Sequence, residues 1–373
     1  RQVQYGADVI MRANYALEHG TEALSMCVRK AVNEMLGSLA EDAGIRREDV
    51  FQVCVVGNTC MHHLFLGISP ASLVHAPYTP AVSERLVLNA GDYGLAVQER
   101  AELIMLSDIA GYVGADTCGC LLAIRQDQQE EISLMIDIGT NGEMVLGNRE
   151  RLVTCSTAAG PAFEGAKIEC GMRGAAGAVD HVKYEEGKWN YTTVGNKPAV
   201  GLCGSGLIDL VAGLLDAGML DENGVLRSGQ EKQGVFILVP PERGGNERGV
   251  YLTQKDLGEV QLAKAAIAAG IQMLMERLGI TEDDICSVYI AGAFGNYMDP
   301  ASAGKIGLLP ATLVKKVKPV GNAAGEGAKI ALVNEKEMLE MDELVRKIEF
   351  VELAASADFQ DHFIDELGFE TGE

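Results

Sequence analysis

The stretch Ile45-Arg46-Arg47-Glu48-Asp49-Val50-Phe51-Gln52-Val53-Cys54-Val55-Val56-Gly57 aligns without gaps on Ile280-Thr281-Glu282-Asp283-Asp284-Ile285-Cys286-Ser287-Val288-Tyr289-Ile290-Ala291-Gly292. The offset is constant at 280 − 45 = 235 residues. Each copy follows a helical pattern ending in glycine, Gly44 or Gly279, a residue that takes the left-handed C-cap conformation at no steric cost. Each then enters a short β-branched strand that stops at a second glycine, so the repeated unit reads as helix, turn, strand, glycine loop. Two further pairings extend the repeat: small-residue helices over 111–123 and 321–332, and helices after glycines over 6–20 and 206–218. Glycine costs a helix interior about 1 kcal/mol relative to alanine, which makes sense where two helices, or a helix and a ligand, come very close. The chain therefore reads as two copies of one α/β domain, over residues 1–125 and 131–373.

The second copy carries a hairpin that the first lacks. Ser133-Leu134-Met135-Ile136-Asp137-Ile138-Gly139-Thr140-Asn141-Gly142-Glu143-Met144-Val145-Leu146-Gly147 reads as strand, glycine turn, strand, and no such D-x-G segment occurs before Ile45. The chain also begins at Arg1 without a methionine, so the twin of this hairpin is expected in sequence upstream of Arg1.

Composition narrows the function classes. Lys and Arg number 31 against 53 Asp and Glu, a net charge of −22, which disfavours nucleic acid and anionic membrane surfaces as partners. No apolar run approaches the roughly 18 residues a membrane helix requires, and no signal peptide opens the chain, so a cytoplasmic location is expected. Nine cysteines, an odd number with no C-x-x-C pair, suit reduced thiols rather than a disulfide framework.

Several segments offer chemistry, each beside a plainer reading. Asp137 with Gly139-Thr140-Asn141-Gly142 can hold a hydrated Mg²⁺ and phosphate oxygens, or it can be an ordinary type I′ hairpin. Gly204-Ser205-Gly206 opens a helix whose N-terminal N–H groups suit an anion, unless the glycines simply permit close packing. Ala291-Gly292-Ala293-Phe294-Gly295 follows a strand and can lie flat against an adenine ring, or form a tight turn. Glu164, in Gly160-Pro161-Ala162-Phe163-Glu164-Gly165, can orient a water or metal-bound water, or cap a helix. Adjacent His62 and His63 point about 100° apart on a helix, so a packing or partner contact is expected rather than one shared metal ion.

In their order, 111–123, Asp137 to Glu143, Ala291 to Gly295 and 321–332 resemble the connect, phosphate, adenosine and second connect segments of the acetate and sugar kinase, Hsp70 and actin superfamily. More narrowly, the chain is similar to the C-terminal region of the reductive activators of corrinoid-dependent enzymes. That match rests also on Tyr5-Gly6-Ala7-Asp8-Val9-Ile10, Gly57-Asn58-Thr59-Cys60-Met61-His62-His63-Leu64, the Gly160 segment, and Cys203-Gly204-Ser205-Gly206-Leu207-Ile208-Asp209.

The resemblance implies duplicated actin-like, ribonuclease H-like α/β domains with mixed central sheets, a cleft between them, and a last helix or strand packing back on the first. It implies ATP or ADP with Mg²⁺, and reduction of a partner's corrinoid from Co(II) to Co(I) by an electron from a ferredoxin-like [2Fe-2S] domain. No C-x₄-C-x₂-C spacing occurs here, so that cluster is expected outside this chain.

In this reading Asp137 positions Mg²⁺ through water and serves with Glu164 as a catalytic candidate, while Gly139, Thr140, Asn141 and Gly142 hold phosphates. Gly204, Ser205, Gly206, Gly292, Ala293, Phe294 and Gly295 line the nucleoside side, and Gly57, Asn58, Thr59, His62 and His63 face the other lobe or the corrinoid protein. A homodimer is compatible with the resemblance. The competing readings are a small-molecule kinase of the same superfamily, a non-catalytic docking module, and an activator sharing a cluster through Cys118-Gly119-Cys120.

Overall fold

The structure, a computed structural model, describes residues 2–6, 8–227, 234–354 and 356–369. It divides into two units, one of Arg1–Gln129, Arg149–Leu152 and Asn322–Phe350, the other of Glu130–Asn148, Val153–Gly321 and Val351–Glu373.

The 235-residue repeat is a repeat of backbone conformation. Gly44 and Gly279 end their helices, Glu22–Ala43 and Gln254–Leu278, at φ 67° and 68°. Each is followed by a 3₁₀ turn, Arg47–Asp49 or Glu282–Asp284, in which the third-turn carboxylate accepts from the backbone N–H of Arg46 or Thr281. The strands Gln52–Val55 and Ile285–Ala291 come next. In the first unit, Gln52–Val55 pairs in parallel with Glu102–Met105 (Val53 opposite Leu103), which pairs antiparallel with Leu86–Asn89.

In the second unit the main sheet contains, in order, Val317–Gly321, Ile285–Ala291, Ile132–Ile138, Gly142–Gly147 and Leu152–Thr157. The first three are parallel, with Leu134 opposite Val288 opposite Val317, and Ile132–Ile138 turns back antiparallel into Gly142–Gly147. Three parallel strands beside an antiparallel hairpin make the mixed sheet of an actin-like domain. Leu134, Ile136, Met144, Leu146, Val288 and Ile290 are all fully buried between layers, which explains the near-continuous apolar run of the central strand.

The two glycine-rich helices lie against each other inside the first unit. A Cβ on Gly119, in helix Ala115–Ile124, would stand 2.6 Å from the carbonyl oxygen of Ala324, and one on Gly327, in helix Ala323–Val333, only 1.9 Å from that of Gly119. This crossing is what draws Asn322–Phe350 to the first unit. Of the last helix and strand expected to do so, the strand Glu349–Phe350 falls in the first unit and the helix does not. Helix Ala357–Asp365 packs on Gln254–Leu278 of the second unit, sinking Phe359 and Phe363 against its core while His362 meets Glu276 at 2.9 Å. Among the described residues no helix is long and apolar enough to cross a membrane.

Candidate functional site

Segments far apart in sequence converge in the second unit. Asp137 is the penultimate residue of its strand, paired across the sheet with Ala291 and Glu143. The chain then turns through Gly139, Thr140 and Asn141, with the Gly139 N–H donating to the Asn141 carbonyl at 3.0 Å, and re-enters the sheet at Gly142 opposite Ile138. Neither Asn141 nor Gly142 adopts positive φ, so this is not the type I′ turn that an Asn-Gly pair suggests. Gly142 is glycine for packing, since a Cβ there would meet Thr157 Oγ1 at 2.9 Å.

The turn is tied twice to the small-residue loop. The Gly160 N–H donates to the Thr140 carbonyl at 2.8 Å, and the Thr140 hydroxyl donates to Glu164 Oε1 at 2.6 Å. Glu164 is therefore not a helix cap. It stands exposed beside the turn, in the 3₁₀ segment Ala162–Glu164. Nothing in the spacing of Thr140 and Glu164 foretells that bond.

Gly292, at φ 83°, turns the end of strand Ile285–Ala291 into the short helix Gly292–Gly295. A Cβ on Gly292 would lie 2.9 Å from Asp137 Oδ1, so the missing side chain keeps the carboxylate open on that side. Phe294 stacks on Phe163 at 5.6 Å between ring centroids, a pairing that the sequence gives no cue to. Ala293 contributes backbone here, and its side chain, like residue Ala7 of the Tyr5–Ile10 motif, lies outside the described residues.

The Gly204-Ser205-Gly206 segment changes role. A Cβ on Gly204 would stand 2.1 Å from the Phe163 carbonyl and 2.7 Å from the Phe294 ring, and one on Gly206 would stand 2.2 Å from the Val179 carbonyl. The Ser205 hydroxyl donates to the Asp180 carbonyl at 2.8 Å and is buried. These residues seat helix Gly204–Asp216 against its neighbours, so their side of the site is built by packing rather than by a free hydroxyl.

Burial is the one influence that displaces Asp137, and it pushes the carboxyl above its ordinary value. No cationic side chain or hydrogen-bond donor among the described residues offsets that cost. A hydrated divalent cation would, so the residues present fit Mg²⁺.

Of the first unit's interlobe or partner-facing candidates, Gly57 and Asn58 are half-buried, while Thr59, His62 and His63 are buried. Asn58 caps helix Thr59–Leu66 by accepting from the Met61 N–H, and the Thr59 hydroxyl donates to the Ala110 carbonyl at 2.7 Å. The Gly57 carbonyl oxygen lies where a Cβ on Gly114 would come within 2.5 Å, making it part of the same joint. His62 meets Asp108 at 3.2 Å, and both side chains are buried. His63 is buried too, and its tautomer follows from its neighbours: Nε2 accepts from the Ala81 N–H at 2.9 Å, so Nδ1 carries the proton given to the Thr59 carbonyl. Burial pushes the His63 pKa down, in keeping with that neutral ring. The Thr59, His62 and His63 side chains, so enclosed, serve the first unit's interior in this conformation.

Cys118 and Cys120 are buried as well, on the helix that meets Ala323–Val333, and burial pushes the Cys118 thiol far up. That location argues against a cluster shared there between protomers. Cys54 and Cys60 are likewise pushed up, to about 11 and about 12, and stay protonated at neutral pH.

A mixed sheet with a D-x-G hairpin turn, a glycine turn after the fourth strand in chain order, and an intervening carboxylate loop define the ASKHA class of nucleotide-dependent domains. Residues 131–373 match the family described as the C-terminal domain of RACo, the ASKHA domain, and residues 1–129 match the RACo middle region. The chain belongs to this RACo family. It is 35% identical over 382 residues to "Corrinoid activation enzyme RamQ" of Eubacterium limosum, covering 98% of this chain and 64% of that protein. It is 27% identical over 399 residues to "[Co(II) methylated amine-specific corrinoid protein] reductase" of Methanosarcina barkeri, covering 98% of this chain and 71% of the relative. The solved "Reductive activator for corrinoid,iron-sulfur protein" superimposes with a TM-score of 0.90 at 38% identity, covering 99% of this chain and 60% of that one. The chain thus spans less than two thirds of the first and last of these.

Proposed function

We propose that this chain is the nucleotide-binding and partner-docking part of an ATP-dependent reductive activator that brings a corrinoid protein from Co(II) to Co(I). The observation that carries the reading is the uncompensated Asp137 carboxylate, opened by Gly292 and set at the start of a turn held by Glu164. Asp137 would hold Mg²⁺ through water. The Thr140 and Asn141 N–H groups would take phosphate oxygens, while the Gly139 N–H holds the turn by donating to the Asn141 carbonyl, and Glu164 would orient water beside them. Bound Mg²⁺ supplies the positive charge that a −22 chain does not offer to phosphates.

Reduction of Co(II) to Co(I) consumes one electron, which in this reading arrives from a ferredoxin-like [2Fe-2S] donor, because no C-x₄-C-x₂-C spacing occurs in this chain. ATP binding would favour one arrangement of the activator, and hydrolysis another, so that the partner's grip on cobalt changes with nucleotide state. Calorimetry of the chain with Mg²⁺ and ATP or ADP tests the nucleotide step. Saturable binding that disappears in Asp137→Ala is expected, and binding that is absent from the native chain, or unchanged in the variant, contradicts it.

A further inference from the structure

The first unit carries a feature that no motif in the sequence announces. A cavity of about 590 Å³ opens between helix Glu22–Ala43 and the 3₁₀ turn Ala90–Tyr93, and its walls include Met26, Arg29, Lys30, Arg47 and Tyr93. Met26, Lys30, Asn33 and Gly37 follow at i, i+4, i+7 and i+11, so they share one face of the helix. The Asn33 side chain ties this face to the opposite wall, donating to the Gly94 carbonyl at 2.8 Å and accepting from the Ala96 N–H at 2.7 Å. The groove is therefore preformed.

Its cations are held in place but not neutralised. Arg29 Nε donates to the Phe65 carbonyl at 2.8 Å, and its guanidinium carbon lies 5.1 Å from the centroid of the Tyr93 ring and 5.8 Å from that of Phe65. Burial pushes the Arg29 pKa down, with Tyr93 as the lesser opposing influence, and the guanidinium stays charged. Arg47 lies along the same helix face, where a Cβ on Gly37 would collide with its guanidinium. Lys30 and Arg47 are exposed. Among the described residues none of the three cations makes an ion pair, although Glu34 and Asp92 also line the cavity.

The chemistry of the groove selects its occupant. A net charge of −22 repels an acidic partner at long range, so a local cluster of unpaired cations fixes where such a partner can land. Met, Arg and Tyr are also the residue types enriched at protein–protein interfaces, and Met26 is 58% exposed. Nucleic acid suits the groove less well. Three cations neutralise few phosphates against the field of the whole chain, and Met26 offers a phosphate nothing.

We infer that this groove docks an acidic segment of a protein partner, its carboxylates on Arg29, Lys30 and Arg47 and its side-chain methylenes on Met26. The guanidinium fork of Arg29, already fixed by Phe65 and Tyr93, suits a carboxylate held by two parallel hydrogen bonds. The site belongs to the first unit alone and stands whether or not the second binds nucleotide.

The test follows the fluorescence anisotropy of a labelled octaglutamate peptide at low ionic strength. Saturable binding to the native chain is expected, weakening as salt is added. The double variant Lys30→Glu, Arg47→Glu is expected to bind about tenfold more weakly. Lys188→Glu with Lys197→Glu makes the same change of charge on exposed residues of the second unit, and is expected to leave the affinity within about twofold. All four positions are exposed, and thermal melts confirm that the variants fold. Absence of peptide binding by the native chain, or equal losses in the two double variants, overturns the assignment. Displacement of the peptide by an equal concentration of inorganic phosphate, or tighter binding of a labelled octathymidylate, overturns the acidic segment as the occupant.

Discussion

Asp137→Asn is expected to raise the melting temperature and, at the same time, to weaken Mg²⁺-dependent ATP binding by about 10–100-fold, the range seen when a group that orients metal-bound ligands is removed. The two effects share one cause. Burial holds the folded carboxyl above the 3.8 of a solvated aspartate. Between that value and the folded one, the folded chain keeps a proton that the unfolded chain has released. Stability therefore grows as pH falls through this window, and above it the charged carboxylate costs stability in full. At pH 7.5 a neutral amide of the same shape removes that cost along with the charge that Mg²⁺ needs. Thermal melts and calorimetry on the same samples check both signs. A lower melting temperature would contradict the desolvation argument, and unchanged ATP affinity would contradict the metal role. In the native chain, ATP binding is also expected to weaken as pH falls toward the raised value, because only the ionised carboxylate attracts the cation.

Alanine at Gly327 or Gly119 is expected to destabilise the first unit severely, by about 3 kcal/mol or roughly 6–12 °C in Tm. The added methyl would meet main-chain atoms of the facing helix, at 1.9 Å and 2.6 Å respectively, so no rotamer change relieves the clash and the helices must separate. Gly258 supplies the internal comparison. It too lies within a helix, Gln254–Leu278, but a Cβ there meets nothing within 4 Å. Gly258→Ala should then show the ordinary gain of about 0.5–1 kcal/mol from replacing a helical glycine. Thermal melts of the three variants separate a contact-driven glycine from an incidental one. Equal effects at all three positions would remove the argument that close helix approach selects these glycines.

The repeat was legible because it is local physics written twice. A left-handed C-cap glycine, a carboxylate that caps the following 3₁₀ turn and a β-branched strand all depend on neighbours within a dozen residues, and Gly44 and Gly279 answer with almost the same φ. The D-x-G hairpin was legible for the same reason. What sequence did not carry was contact between distant segments. Thr140 reaches Glu164 and Phe163 reaches Phe294 only because the sheet brings their loops together, and no periodicity encodes that.

Local rules also misled. Asn141-Gly142 advertised a type I′ turn, yet Gly142 is small because Thr157 and Ile267 crowd it. Ser205 between two glycines invited an anion-binding reading, yet its hydroxyl is spent on Asp180 and the glycines on backbone approach. His62 and His63 drew attention as chemistry-bearing residues, while their fixed partners make them part of the first unit's interior. In each case a residue type common at ligand sites serves packing, because close backbone approach and phosphate binding ask for the same small residues.

The central claim is nucleotide-dependent delivery of an electron to cobalt. The most direct measurement follows the optical spectrum of a corrinoid protein, poised as Co(II), mixed anaerobically with this chain joined to a reduced [2Fe-2S] donor domain, with and without ATP and Mg²⁺. The account predicts that the Co(I) spectrum accumulates only when ATP is present and fails to do so with Asp137→Ala. Accumulation of Co(I) at the same rate and to the same extent without nucleotide, or with the donor domain alone, would contradict it.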